Sequence, residues 1–161
     1  MIKAVVFDFD GTLFKFVLDY KGMRNEVKEA VIAGGVPSSL LEEGDRIRDF
    51  VNKMLNYGKA SSWSDTKTSG IMKKINSIMD RYEWESAQNN TPVDGAREVL
   101  RVLRRRKLKT GLLTNNNRKS IMFLLDKYGF SRMFDAVVTR NDLTDFNNLK
   151  PSPVGLNLIL T

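Results

Sequence analysis

A short apolar segment at the start of the chain, Ile2 to Phe7, constrains the fold more than any other feature. It is rich in β-branched side chains and almost uninterrupted by polar ones, which is typical of a strand buried on both faces of a parallel sheet. Two later segments, 109–114 and 135–139, predict further strands. The helical patterns around them cover 96–107, 118–128 and a segment that begins at Ser152. Strands that alternate with helices predict an α/β fold with a parallel sheet and right-handed crossovers.

The stretch from 15 to 90 has a different pattern. Its apolar residues recur at helical spacing, as in Val27 with Val31 and Phe50 with Met54, and no segment alternates as a strand would. Glycine-containing segments divide the stretch into about three helices. We therefore expect a core built from residues 1–14 and 91–161, with an all-helical insertion at 15–90.

Two acidic residues follow the first predicted strand. Asp8 and Asp10 are two positions apart, so an extended backbone places both side chains on the same side. They lie at the carboxyl end of a strand, which is where open α/β sheets bind their ligands. Gly11 has no Cβ, so the turn that follows can be tight and its backbone can approach a ligand closely.

Polar residues also follow the other two predicted strands. Thr114 and Asn115 close the second strand just before a helix, and a hydroxyl and amide groups at a helix N-terminus suit an anion such as phosphate. Lys150 follows the third strand and adds an ammonium group. Each feature alone has an ordinary structural explanation, as a turn, a helix cap or a solvated lysine. Together, in this order and at one edge of one sheet, two acids, a hydroxyl and a lysine form a specific combination.

The composition narrows the chemistry that such a site can perform. The chain has no cysteine and no histidine, so it can form no disulfide and has neither a thiolate nucleophile nor an imidazole base. Acid–base chemistry must come from Asp, Glu, Lys or Tyr, and a bound metal must prefer oxygen, as Mg²⁺ and Ca²⁺ do. The formal charge of +7 favours anionic partners. No apolar stretch approaches the roughly 20 residues of a membrane span. The N-terminal segment does not resemble a signal peptide, so we expect a cytoplasmic protein that does not bind membranes.

Three segments resemble the first three motifs of the haloacid dehalogenase superfamily of phosphohydrolases: Asp8–Leu13, Leu113–Asn115 and Lys150–Pro153. The helical stretch lies where members of this family insert a helical cap of the C1 type, and the phosphoglycolate-phosphatase-like members are the nearest in layout. The resemblance implies a parallel, three-layer, Rossmann-like core. It also implies Mg²⁺-dependent hydrolysis of a small phosphomonoester through a phosphoaspartyl intermediate.

The resemblance also implies a role for each motif residue. Asp8 resembles the nucleophile, and Asp10 resembles the general acid that protonates the leaving group and then activates water. The Asp8 carboxylate and the Asp10 backbone carbonyl resemble Mg²⁺ ligands. The residues that resemble the phosphate-binding group are Gly11, Thr114, Asn115 and Lys150, of which Lys150 also resembles the residue that neutralises the nucleophile. Dehalogenating members lack the second acid, so Asp10 favours the phosphate-transfer branch.

The fourth motif of the family is an acidic pair after a further strand, and it has no counterpart before Thr161. Asp142 and Asp145 precede Lys150, and we expect them to be turn residues. In this topology the first strand is central, with its missing neighbours following Thr161. We therefore expect either a fragment of a longer protein or a chain whose first strand is covered by a second copy in a homodimer. For this chain alone we expect weak Mg²⁺ binding and slow turnover.

Other functions remain open from the sequence. One is a catalytically impaired core that binds a phosphorylated ligand without turnover, and another is a mutase, which would require a sugar bisphosphate. Nucleic-acid binding through the basic segment 101–109 ranks lower, because Val99, Val102 and Leu103 predict a helix that buries one face and solvates the other. The aromatic residues of the helical stretch are expected to pack rather than bind substrate, namely Tyr57, Trp63, Tyr82 and Trp84.

Overall fold

The computed structural model describes residues 2–160 and contains two compact units. One unit comprises the chain up to Val17 and from Glu83 onward, and the other comprises Leu18–Tyr82. The sequence placed these boundaries at 15 and 90. The second boundary differs because a single helix, Asp65–Asn89, continues through it and supplies residues to both units.

The described residues form a three-stranded sheet and six α-helices. The strands are β1 (Ala4–Phe7), β2 (Lys109–Leu113) and β3 (Ala136–Val138). The helices are α1 (Tyr20–Ala33), α2 (Ile47–Ala60), α3 (Asp65–Asn89), α4 (Ala96–Arg105), α5 (Arg118–Lys127) and α6 (Val154–Leu160). No helix within residues 2–160 is long and apolar enough to cross a membrane.

The sheet is parallel in the order β1-β2-β3, with Val6 opposite Gly111 and Leu112 opposite Val137. This arrangement confirms the predicted α/β fold. β3 is one residue shorter at each end than the predicted 135–139, and at its start the N–H of Thr110 donates to the carboxylate of Asp135 at 2.8 Å. In a regular ladder this N–H would donate to a backbone carbonyl of the neighbouring strand, but here it donates to the Asp135 side chain.

Both faces of the sheet are covered, as expected for parallel strands. Successive residues alternate between the faces, so Leu112 and Val137 belong to one apolar cluster and Leu113 and Val138 to the other. The first cluster is the larger and includes Phe9, Leu13, Phe14, Leu100, Ile121, Leu124 and Phe130. The second includes Leu143, Leu149 and the α6 residue Ile159.

One packing expectation for the core unit is wrong. Val99 and Val102 of α4 are 49% and 43% exposed, although the sequence pattern assigned them to the buried face. α4 instead buries Ala96 and Leu100, which are spaced by one turn. The two valines lie outside this narrow stripe, so the basic helix exposes apolar as well as charged side chains.

The helical unit has its own apolar core. Its fully buried side chains come from α1, α2 and α3 and include Val27, Val31, Phe50, Val51, Met54 and Ile75. Trp63 contacts Tyr57 edge to face, with ring centroids 5.7 Å apart. Lys53 pairs with the nearly buried Asp45 at 2.7 Å. Tyr57 and Trp63 thus pack against each other, as expected.

Candidate active site

A tight turn after β1 presents the two aspartates. The Phe9 carbonyl accepts hydrogen bonds from the backbone N–H groups of Thr12, Leu13 and Phe14, and Gly11 adopts a φ of +76°. Residues with a Cβ rarely adopt a left-handed φ, and this backbone angle explains the glycine. Crowding is not the reason, because no atom lies close to where a Cβ would be. Because Phe9 is fully buried, the side chains on either side of it are directed away from the apolar cluster.

The first and third polar segments meet at Asp8 and Lys150. The ammonium of Lys150 donates to Asp8 Oδ1 in an ion pair between residues 142 positions apart in the sequence. The Asp8 side chain is 49% exposed and the Lys150 side chain 30%. The backbone N–H of Phe9 also donates to Asp8 Oδ1, at 2.7 Å. A solvent-accessible carboxylate is thus held beside a cation.

Asn115 connects the second segment to Lys150. Its Oδ1 accepts the backbone N–H of Lys150 at 2.9 Å, and its Nδ2 donates to the Lys150 carbonyl at 3.3 Å. The side-chain amide therefore fixes the main chain from which the Lys150 ammonium projects. We predicted from the sequence that Asn115 binds phosphate. Nothing in the sequence indicated its contact with the Lys150 main chain.

Thr114 is almost completely buried, and its Oγ1 accepts the N–H of Asn116 at 3.1 Å. Asn116 in turn directs its Nδ2 toward Asp10 Oδ2 at 3.5 Å. Burial raises the pKa of Asp10, and the nearby charge of Asp8 raises it further. The hydrogen bond from the Asn116 amide and the charge of Lys150 both lower this pKa. The net pKa is above the usual value, which is the direction that a proton-donating carboxyl requires. The sequence showed Asn116 only as part of an asparagine run.

A buried polar cluster that the sequence did not indicate contacts Asn117, in the loop that follows β2. Glu83 is 3% exposed, and its Oε2 accepts from Arg140 Nη2 at 2.7 Å and from Asn117 Nδ2 at 2.6 Å. Glu83 and Arg140 are 57 residues apart. No local pattern marks either as buried, so this pairing could only be found in the folded chain.

The acidic residues before Lys150 belong to turns, as expected. Asp142 accepts the N–H and the hydroxyl of Thr139, each at 2.8 Å, and pairs with Arg118 at 2.9 Å. Asp145 accepts the N–H of Asn147 at 2.8 Å. Within residues 2–160, no group of three or more acidic side chains could hold a metal ion.

Comparison with known proteins identifies the family. A model described as haloacid dehalogenase-like hydrolase matches residues 2–161, which is nearly the whole chain. The chain belongs to the haloacid dehalogenase-like hydrolase family. Its similarity within this family is to phosphomonoester hydrolases. It is 28% identical over 166 residues to a phosphoglycolate phosphatase from Vibrio parahaemolyticus, covering 99% of this chain and 69% of that protein.

A second relative of this haloacid dehalogenase-like chain acts on a different compound. The chain is 25% identical over 158 residues to an N-acetylmuramic acid 6-phosphate phosphatase from Pseudomonas aeruginosa, covering 98% of this chain and 66% of that protein. The chain thus spans about two thirds of the length of these relatives.

Solved structures agree on the fold. A predicted phosphoglycolate phosphatase from Haemophilus somnus superposes with a TM-score of 0.54 at 16% identity, covering 98% of this chain and 69% of that one. A haloacid dehalogenase-like hydrolase from Bacteroides fragilis superposes with a TM-score of 0.57 at 18% identity, covering 98% and 71%. At these identities the likeness establishes the haloacid dehalogenase-like fold and no more.

Proposed function

We propose that the chain carries the catalytic residues of a Mg²⁺-dependent phosphatase that hydrolyses a small phosphomonoester through a phosphoaspartyl intermediate. The observation that carries the proposal is the ion pair of Asp8 with Lys150, beside Asp10 at the carboxyl edge of the sheet. A carboxylate that attacks a phosphate dianion meets strong electrostatic repulsion. A cation in contact with that carboxylate lowers this repulsion and orients the attacking oxygen.

The reaction assigned to these residues has two steps. Asp8 attacks phosphorus through a carboxylate oxygen, the bond from phosphorus to the ester oxygen breaks, and Asp10 gives its proton to the departing alkoxide. Asp10, now a carboxylate, takes a proton from a water molecule that attacks phosphorus and releases Asp8 and inorganic phosphate. Asp10 loses its proton in the first step and gains one from water in the second, so the acid is regenerated in each cycle.

The remaining predicted residues would position the phosphate and the Lys150 ammonium. Lys150 neutralises charge on the phosphoryl oxygens, and Thr114 provides a hydroxyl at the end of β2. Gly11 allows the turn to approach the phosphate, although its own N–H donates to the Phe14 carbonyl at 2.7 Å. Asn115 acts by holding the Lys150 main chain.

The oxygen ligands at the site suit Mg²⁺. Phosphatases of this family generally use this ion, and Mg²⁺ in proteins is held by one or two carboxylates together with water and substrate phosphate. The Asp8 carboxylate and the Asp10 backbone carbonyl are the ligands that we assign to it. The bound ion would neutralise charge that develops on the phosphoryl oxygens.

The relatives support the substrate class that we propose. The names of the two relatives from Vibrio and Pseudomonas specify a phosphorylated glycolate and a phosphorylated amino-sugar acid. We assign to this chain a small organic phosphomonoester of the same general kind.

Hydrolysis of p-nitrophenyl phosphate with and without Mg²⁺ tests the proposal. Asp8→Asn removes the attacking charge and should abolish the Mg²⁺-dependent activity. Asp19→Asn is the matched control, because Asp19 caps α1 and asparagine caps equally well. Retained activity in Asp8→Asn would reject the mechanism. Binding of orthovanadate without any hydrolysis by the unmodified chain would favour the ligand-binding alternative, and a requirement for a sugar bisphosphate would indicate a mutase.

A further inference from the structure

The buried carboxylate of Glu83 serves three donors with one oxygen. Glu83 Oε2 accepts from the Asn117 backbone N–H at 2.9 Å, from Asn117 Nδ2 at 2.6 Å and from Arg140 Nη2 at 2.7 Å. The side chains of Glu83 and Arg140 are 3% and 6% exposed. Two of the three hydrogen bonds go to Asn117, so the carboxylate fixes both the main chain and the side chain of that residue.

Asn117 is the last residue of the loop between β2 and α5. Its Oδ1 accepts the Ser120 N–H at 2.8 Å and so caps α5, while its Nδ2 donates to Glu83. Its backbone N–H also donates to Asn116 Oδ1 at 2.8 Å. With the side chain of Asn116 held through its oxygen, its Nδ2 is directed toward Asp10.

Arg140 holds the same loop at a second point. While its guanidinium pairs with Glu83, its backbone N–H donates to the Asn116 carbonyl at 3.0 Å. One residue earlier in the loop, Asn115 holds the main chain of Lys150. The 114–117 loop is therefore anchored from the protein interior on one side and contacts Asp10 and Lys150 on the other.

We propose that Glu83, together with Arg140 and Asn117, is a positioning unit that holds the 114–117 loop so that Asn116 and Asn115 place Asp10 and Lys150 for catalysis. The kinetic part of this inference rests on the proposed function. Glu83 touches no reacting atom and acts entirely through the asparagines. A small displacement of the loop would move the proton donor and the cation together, and misplacement by about 1 Å can lower a rate by about 100-fold.

Packing alone does not explain why this interior position carries a carboxylate rather than an apolar side chain. Removing a carboxylate and a guanidinium from water is costly, and apolar pairs of similar volume are often as stable in such positions. Burial raises the pKa of Glu83 even though Arg140 and the Asn117 donors oppose this, which is a sign of that cost. An apolar pair could fill the space, but it could not accept the two hydrogen bonds from Asn117.

Two double variants isolate this acceptor. In Glu83→Gln/Arg140→Met both charges are removed and an amide oxygen remains for Asn117, whereas in Glu83→Leu/Arg140→Met the charges and the acceptor are both removed. We expect the first variant to keep kcat for p-nitrophenyl phosphate within about threefold of the unmodified chain. We expect the second to lose about tenfold or more in kcat with KM changed less than threefold, as for misplaced catalytic groups. Glu85→Gln, an exposed change on the same helix, is the control and should change neither constant.

The outcome that overturns the proposal is equal kcat in the two double variants, or unchanged kcat in the leucine variant. Should the leucine variant not fold, Asn117→Ser carries the same test, because serine keeps the cap but has no Nδ2 to donate to Glu83. Again a tenfold loss in kcat supports the proposal and an unchanged kcat overturns it.

A measurement independent of turnover separates this inference from the proposed function. Amide hydrogen exchange of the Asn117 N–H, measured by NMR, should be at least tenfold faster in the leucine variant than in the glutamine variant. Equal exchange rates would overturn the positioning unit even in an active enzyme. Faster exchange in a chain without phosphatase activity would support the positioning unit while the proposed function failed.

Discussion

Phe14→Ala should lower the free energy of unfolding by about 4 kcal/mol, because Phe14 anchors the turn that carries Asp8 and Asp10. Its side chain is fully buried. Its ring stacks on Phe9 with centroids 4.5 Å apart and planes 13° apart, and it contacts Phe130 edge to face at 5.6 Å.

The magnitude follows from these contacts. Truncating a buried phenylalanine to alanine costs about 3–5 kcal/mol, and each well-oriented aromatic pair contributes about 0.5–1.5 kcal/mol beyond the area it buries. Three such pairs, including one with Tyr128 at 5.7 Å, raise the expected cost from the lower end of that range to about 4 kcal/mol. Phe14→Leu keeps most of the apolar volume and loses only the ring geometry, so it should cost about 1.5 kcal/mol.

Urea denaturation followed by circular dichroism measures both variants. Phe16, two residues along the chain, is 61% exposed and supplies the matched control. Phe16→Ala should change the free energy of unfolding by less than about 0.5 kcal/mol. The reasoning is refuted if Phe14→Ala costs no more than Phe16→Ala, or if Phe14→Leu costs as much as Phe14→Ala.

Three further predictions concern other parts of the core unit. Gly111→Ala would bring a Cβ within 2.7 Å of Ile159 Cγ2, so it should destabilise the fold by about 1–3 kcal/mol in urea denaturation, and a neutral effect would contradict the packing of α6 on β2. Asn115→Ala releases the Lys150 main chain and should lower kcat for p-nitrophenyl phosphate about tenfold, whereas a change below twofold would contradict its role. The pKa of Asp142 is lowered, because hydrogen bonds from Thr139 and Arg118 together outweigh the opposing effect of burial. Its folded pKa lies below the unfolded value of about 3.9, so its stabilisation is present above that pH and is lost as pH falls through the folded pKa. The stability difference between the unmodified chain and Asp142→Asn should therefore shrink as the pH falls below about 4, and a constant difference in acid denaturation would contradict this.

The fold could be predicted from the sequence where local pattern and long-range order agree. The apolar run before Asp8 and the strand–helix alternation after 91 predicted a parallel α/β sheet, which the structure confirms. The same reading failed for Val99 and Val102. A helical apolar pattern shows that one face is buried, but the width of the buried stripe depends on how closely the helix approaches the sheet.

The site was predictable only where motif residues meet each other directly. Asp8 and Lys150 were expected at one edge of the sheet, and the structure brings them together. Asn115, by contrast, was predicted to bind phosphate, whereas in the structure its side-chain amide is hydrogen-bonded to the Lys150 main chain. The Glu83–Arg140 pair had no sequence signal, because its partners are 57 residues apart and a helical glutamate ordinarily faces solvent.

The central claim is that the carboxylate of Asp8 becomes phosphorylated. An acyl phosphate is reduced by borohydride to the alcohol, so quenching the protein with borohydride during turnover of a phosphomonoester should convert Asp8 to homoserine. Mass spectrometry of the peptide that contains Asp8 is the direct measurement. Homoserine is expected at Asp8 when both Mg²⁺ and substrate are present, and none is expected when either is omitted. Hydrolysis that proceeds while Asp8 remains unmodified would contradict it.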